Sequence, residues 1–356
     1  MQIPETMKAL TVRPGPVYQL ERIPTPRAGE GEVLIKVEAC GICAGDVKAR
    51  QKAGQMWDRP DNPDHSIPGH EFFGTVVEIG EGITAVSIGD RVISEQIVPC
   101  WNCRFCKTGH YWMCRESNIY GFRSNPDGGM AEYMIFPAGA IIHKLPADMP
   151  MEQAVLIEPY ACGKHCVDRS KAGNEDVVVL SGAGCLGLGM LGALKLRQPK
   201  QIIVLDVRDD RLAKAKAFGA DLTMNPAKEP VADQVRALTD GLGCDIYIEA
   251  TGYPQSVEQG LDMIRSLGTF VEFGVFNDKV TTDWTVIGDR KELNVLGSHL
   301  GPYCYEPVIE WLASGKLPSD GVVTHQFPLE RWEEAFATAQ SDPQAIKVVL
   351  VPGLQV

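Results

Sequence analysis

The chain has 356 residues, 44% of them hydrophobic and 22% charged, with a formal net charge of -12. That length suits two domains, and the composition is ordinary for a soluble globular protein. An acidic balance with no long basic run argues against a nucleic-acid backbone binder and against docking on an anionic membrane surface.

Eleven cysteines are too many to ignore and an odd number to pair. The opening stretch MQIPETMKAL lacks the charged-then-apolar run of a signal peptide. The expectation is therefore a cytoplasmic protein whose clustered cysteines hold metal or act in catalysis, not a disulfide scaffold. Residues 177–194 carry no charge and could suggest a membrane span. Gly182, Gly184, Gly187, Gly189 and Gly192 within them fit a buried strand, a glycine turn and a helix start better.

Residues 1 to about 150 read as β-rich. The short β-branched runs at 33–37 and 75–79 are separated by glycine and proline breaks, as in a compact antiparallel barrel with long loops. The first of those loops carries Cys40, Cys43, Asp46 and Lys48. Cys40-x-x-Cys43 could be a redox pair, but no strand–helix start of that type surrounds it. Cys40 reads as a small buried apolar residue. Cys43, beside Gly41, reads as a metal ligand.

Gly69-His70-Glu71 follows, with flanking glycines and aromatics, at the start of a strand. A thiolate, an imidazole and a carboxylate are the usual donors of a catalytic zinc that keeps one position open. His70 alone would more often be a satisfied core or surface residue. Cys100, Cys103, Cys106 and Cys114 form C-x2-C-x2-C-x7-C, a spacing that closes a tetrahedron around a structural zinc; a four-sulfur iron–sulfur cluster is the alternative. Glu158-Pro159 opens a helix-like run, with His165 and Cys166 expected to pack inside it.

From residue 176 strands and helices alternate, which implies a doubly wound parallel sheet. After the buried strand at 177–180, Gly182-Ala183-Gly184-Cys185-Leu186-Gly187 gives G-x-G-x-x-G. Its first glycine makes the turn, the second admits a pyrophosphate, the third lets helix pack on strand, and the anion sits at the helix N-terminus. Asp206 at the end of the next strand is placed to accept bonds from a ribose 2′-OH and to repel a 2′-phosphate, which favours NAD over NADP, although Arg208 and Arg211 are nearby. Thr251, Val275, Phe276, Ser298 and His299 follow later strands and are candidates to approach the cofactor. The final residues supply a helix at 306–313 and strands at 322–327 and 346–351, expected to rejoin the first domain.

In combination these pieces resemble the zinc-containing medium-chain dehydrogenase/reductase family over essentially the whole chain. Gly41-Ile42-Cys43, Gly69-His70-Glu71 with Gly74, Gly89-Asp90-Arg91-Val92, the four-cysteine lobe, residues 127–133, Glu158-Pro159, the glycine fingerprint and Glu249-Ala250-Thr251-Gly252 carry the likeness. Glu158, where many alcohol dehydrogenases have a ligand cysteine, is similar to the polyol branch (sorbitol, erythritol or threitol type) and to threonine dehydrogenases.

The resemblance implies a chaperonin-10-like β-barrel catalytic domain (1–156 and 300–356) and a Rossmann NAD-binding domain (157–299). It implies one catalytic and one structural Zn2+, with Cys43, His70 and Glu158 around the first. Glu71 would be a ligand itself or act through water, and Asp46 would orient His70. The implied reaction is oxidation of a small polyol: the metal polarises the hydroxyl and hydride passes to NAD. The implied assembly is a homo-oligomer, dimer or tetramer, with no nucleic-acid or membrane partner. Two departures stand out. Gly45 replaces the hydroxyl residue that usually relays the proton, and Lys48 replaces a relay histidine. Glu71, Glu158 through water, or Lys48 remain as proton routes, and pocket residues are expected on the loops at 48–64 and 120–127.

Overall fold

The structure is a computed structural model and describes residues 2–13, 17–51, 66–122 and 126–354. Most of the expected pocket loop, residues 52–64, and positions 123–125 lie outside the described residues. The chain divides into two compact units: Met1–Glu158 with Tyr305–Ser314 and Ser319–Val356, and Pro159–Cys304 with Gly315–Pro318.

The main sheet of the first unit has seven strands among the described residues. Val33–Ile42 is central, pairing antiparallel with Glu71–Ile79 on one edge, with Lys347–Val351 on the other, and with Tyr133–Phe136. Arg91–Ser94 and Ile142–Lys144 extend the sheet beyond Glu71–Ile79. Along Val33–Ile42 nearly every side chain is buried, because neighbouring strands and loops cover both faces. Met7, Leu10, Val33, Ile35, Phe72, Tyr120, Met134, Phe136 and Leu350 belong to one continuous apolar core.

Within residues 1–150 the described strand pairs run antiparallel, as expected there, and one pair of the C-terminal segment runs the other way. Val323–Pro328 runs parallel to Lys347–Val351. The helix Trp332–Ser341 between them supplies the crossover that a parallel pair needs and a hairpin cannot give.

The second unit holds six parallel strands in the order Leu222–Met224, Gln201–Leu205, Val177–Ser181, Cys244–Glu249, Ile264–Glu272, Asn294–Gly297. The chain starts in the middle and winds outward both ways, which is the doubly wound order and puts the switch point beside Val177–Ser181. All five residues of that strand are buried, as the apolar run of its first four requires. The rest of the uncharged stretch, up to Leu194, lies in the glycine turn and on the helix Cys185–Arg197. Among the described residues no helix is long and apolar enough to cross a membrane.

Two sequence expectations shift by a turn. Asp46 and Lys48 lie on a helix, Ala44–Gln51, and not in a loop. Asp46 explains it: its Oδ2 accepts the Cys43 backbone N–H at 2.9 Å, the reach-back that closes a helix start. Downstream, the helix is Ile157–Ser170, so Pro159 is its third residue rather than its first. Proline is tolerated there because the first-turn N–H groups have no partner within the helix.

Candidate active site

Register assembles the candidate metal site. Gly41 pairs with Glu71 and Cys40 with Phe72, so the end of Val33–Ile42 brings Cys43 beside His70 at the start of the next strand. Gly41 is required for a reason the sequence did not disclose. A Cβ there would fall 2.2 Å from Glu71 Oε2, so the residue must be glycine for close approach and not for an unusual backbone angle.

Donor atoms of Cys43, His70 and Glu71 lie within 4.8 Å of one another, with His70 and Glu71 buried. A soft thiol, an imidazole and a carboxylate converging in a shielded place fit a zinc ion by donor chemistry. Around His70 the field favours positive charge. Burial pulls its pKa down, but the Asp46 carboxylate and the Cys43 sulfur outweigh that and carry it to about 10. A cation in place of that proton meets the same field. His70 Nδ1 makes no hydrogen bond among the described residues and faces Asp46 Oδ1 at 3.9 Å.

The two carboxylates are held differently. Lys347 Nζ, from the C-terminal strand, donates to Glu71 Oε1 at 2.7 Å and to Oε2 as well, and both side chains are 5% exposed or less. Glu158 lies outside the cluster that shares 4.8 Å, but it is 4% exposed and close enough for its charge to act on His70. Gln96 Nε2 donates to Glu158 Oε1 at 2.7 Å. The Phe122 ring sits 4.6 Å from the His70 ring, and a Cβ on Gly45 would meet it at 3.3 Å. Lys48 is partly buried on its helix.

Sequence reasoning missed Lys347, Gln96 and Phe122. Lys347 had a usable signal, since a lone lysine in the apolar strand KVVLV must find a buried partner. Gln96 and Phe122 had none.

Cys100, Cys103, Cys106 and Cys114 also bring their sulfurs within 4.8 Å. Backbone N–H groups already point at these sulfurs: Cys103 N–H to Cys100 Sγ and Cys100 N–H to Cys114 Sγ, both at 3.3 Å. Such donors favour thiolates, and the Cys103 thiol is pulled down to about 6, chiefly by backbone hydrogen bonding around Cys106. The lobe is tied down by the Trp101 indole, which donates to Gly139 O at 2.8 Å, and by Tyr111 OH, which donates to Glu95 Oε2 at 2.7 Å.

In the second unit the glycine fingerprint has the expected form. Gly182 has φ +109°, and Gly184 stands at the N-terminus of Cys185–Arg197 with no side chain capping it. A Cβ on Gly187 would lie 2.0 Å from Gly182 O, so helix and strand meet only with glycine there. Above Gly184 there is room: the nearest atom to an added Cβ is Arg211 Nη1 at 3.8 Å. An open cradle with bare helix amides fits a pyrophosphate.

Cys185 and Leu186 are partly exposed in the first turn. Asp206 is engaged at both oxygens, accepting from Ala183 N at 2.8 Å and Arg208 N at 2.9 Å, and so clasps the glycine loop to the next strand. Its remaining lone pairs can still receive a ribose hydroxyl. Thr251 is bonded through N–H and hydroxyl to Glu249, which shapes the turn after that strand. Val275 is exposed and Ser298 partly buried, each just beyond the end of a strand. His165 is held down to about 4, mainly by burial, and Cys166 is buried, consistent with packing.

Comparison with known proteins follows the same division. Residues 29–147 match the alcohol dehydrogenase GroES-like domain, and residues 185–314 match the zinc-binding dehydrogenase domain. The chain is 44% identical to erythritol/L-threitol dehydrogenase of Mycolicibacterium smegmatis, with 99% of each protein covered. It is 36% identical to L-threonine 3-dehydrogenase of Pyrococcus horikoshii, covering 92% of this chain and 93% of that one. A crystal structure of an Escherichia coli oxidoreductase/dehydrogenase of unknown specificity superposes with TM-score 0.91 at 29% identity, covering 98% of this chain and 100% of that one.

Proposed function

The chain belongs to the zinc-containing medium-chain dehydrogenase family, and from that premise we propose that it oxidises a secondary hydroxyl of a small polyol, a tetritol such as erythritol or threitol, to a ketose with NAD+ as acceptor. The observation that carries this reading is the convergence of half-buried Cys43 with buried His70 and Glu71, in a chain so close over its full length to a tetritol dehydrogenase. Zinc supplies Lewis acidity that brings an alcohol's pKa toward neutrality, and the nicotinamide supplies the hydride acceptor.

The chain's own residues do the rest. Cys43, His70 and Glu158 hold the ion, and Asp46 steadies the His70 ring from its far side while its other oxygen fixes the helix start. Glu71 is committed to Lys347 at rest, which makes it an alternate ligand rather than a permanent one. The Phe122 ring stands against His70 and Gly45, filling space a relay hydroxyl would need. The product proton therefore leaves through Glu71, through Glu158 and a water, or through Lys48. Gly182, Gly184, Cys185, Leu186 and Gly187 receive the pyrophosphate. Asp206 and Arg211 flank the adenosine ribose, and Thr251, Val275 and Ser298 line the nicotinamide end. The four cysteines hold a second, structural zinc. The same reading places the enzyme in the cytoplasm, in carbohydrate metabolism, as a dimer or tetramer, which light scattering resolves.

The test is a panel of C4 to C6 sugar alcohols, L-threonine and simple alcohols with NAD+ and NADP+. The highest kcat/KM is expected on a tetritol with NAD+. A preference for L-threonine would transfer the chain to the amino-alcohol branch, and a preference for NADP+ would overturn the role given to Asp206.

A further inference from the structure

We propose that Gln96 is a positioning residue for the Glu158 carboxylate, with Tyr305 setting the direction of its amide; this rests on the reading of Glu158 as a metal ligand. Gln96 is 1% exposed, just before the strand Ile97–Val98. Both ends of its amide are used. Nε2 donates to Glu158 Oε1 at 2.7 Å, and Oε1 accepts from Tyr305 OH at 2.6 Å.

The direction is not arbitrary. The Gln96 backbone N–H donates to the same Tyr305 oxygen at 3.2 Å. A backbone N–H can only donate, so the phenol accepts there and sends its one proton to the Gln96 carbonyl. The NH2 end must then face Glu158. The reverse orientation would set a carbonyl oxygen against a carboxylate.

Tyr305 is braced in turn. Its ring stacks on His143, with centroids 5.4 Å apart and planes at 14°. His143 Nε2 lies 3.3 Å from Glu95 Oε1, and Glu95 Oε2 accepts from Tyr111 OH. Tyr111 belongs to the four-cysteine lobe. One continuous set of contacts therefore runs from that lobe to Glu158.

The chemistry separates the two carboxylates. Lys347 brings a full positive charge to Glu71, which lowers its hold on a cation. Gln96 brings a neutral donor to one oxygen of Glu158, which fixes its direction without neutralising its charge.

The test follows release of zinc from the loaded enzyme to a chelator, together with the visible spectrum after cobalt replaces the faster-leaving ion. For Gln96→Leu the faster ion is expected to leave about 10- to 100-fold sooner than from wild type, with a changed cobalt spectrum and the slower ion unaffected. Tyr305→Phe keeps the ring stack and should move release the same way by a smaller factor. Gln96→Leu combined with Glu158→Gln should release no faster than Glu158→Gln alone.

Wild-type release from Gln96→Leu, beside fast release from Glu158→Gln, would overturn the role of Gln96 alone. Wild-type release from Glu158→Gln would remove the ligand reading and this proposal with it. If Gln96→Leu does not fold, Tyr305→Phe decides: wild-type release and an unchanged cobalt spectrum from it overturn the proposal.

Discussion

The two candidate metal clusters of the first unit are built on opposite principles. The four-cysteine lobe takes four identical donors from fifteen consecutive positions and stiffens them with backbone amides on sulfur. The second cluster takes unlike donors from Cys43, His70 and Glu71, with Glu158 nearby, and surrounds them with groups that compete or restrain: Asp46, Lys347 and Gln96. A closed set of strong donors suits an ion that never leaves. A mixed set with one carboxylate already paired to a lysine suits an ion that must exchange partners during a reaction.

The sharpest way to break that contrast is to remove one thiol from each cluster. Cys43→Ala should cost more than about 100-fold in NAD-linked kcat/KM, exceeding the loss of an outer partner, while the thermal midpoint moves little. Cys103→Ser should do the reverse: the midpoint falls by the equivalent of several kcal/mol, roughly the share a structural zinc gives to folding, and folded molecules keep their kcat. Parallel kinetics and melting curves on the two variants read both effects.

Next in size is Lys347→Met. It strands the Glu71 carboxylate in the core and should destabilise by about 3–5 kcal/mol in urea unfolding. Activity that rises in the surviving folded fraction would show the lysine restraining Glu71; activity that falls would show it assisting.

Gly41→Ala is a smaller perturbation. The added Cβ displaces Glu71, at about 1–3 kcal/mol of strain, without touching any donor of the four-cysteine lobe. Zinc analysis should find the lobe's ion retained.

The smallest effect belongs to the second unit and serves as a control. Burial, then the Glu249 charge on the neighbouring strand, raises the Glu272 carboxyl to about 7. A carboxyl whose folded pKa lies above its unfolded one favours folding most below the unfolded value. That contribution fades as pH rises through the folded value. Glu272→Gln should therefore melt higher than wild type at pH 8 and equally at pH 4. After allowance for partial exposure the gain is about 1 kcal/mol.

The contrast also explains what could be read from the chain. The lobe was legible because its donors are local: spacing alone brings four sulfurs together. The parallel sheet was legible because residues 177–180 are uniformly apolar and a glycine turn follows the strand. The mixed cluster was legible only in its donors. Its restraints come from Lys347, on a strand 276 residues beyond Glu71, and from a glutamine that no local pattern distinguishes. The helix carrying Asp46 was missed because its start is closed by that aspartate's own side chain, a contact that leaves no periodic trace in eight residues.

The most direct measurement is a zinc titration of metal-stripped protein, following the melting midpoint and polyol-dependent NAD+ reduction in the same samples. The first equivalent should restore stability with little activity, and the second should restore activity. Full-rate oxidation in protein holding no zinc, or activity complete after a first equivalent that Cys43→Ala binds equally well, would contradict the account.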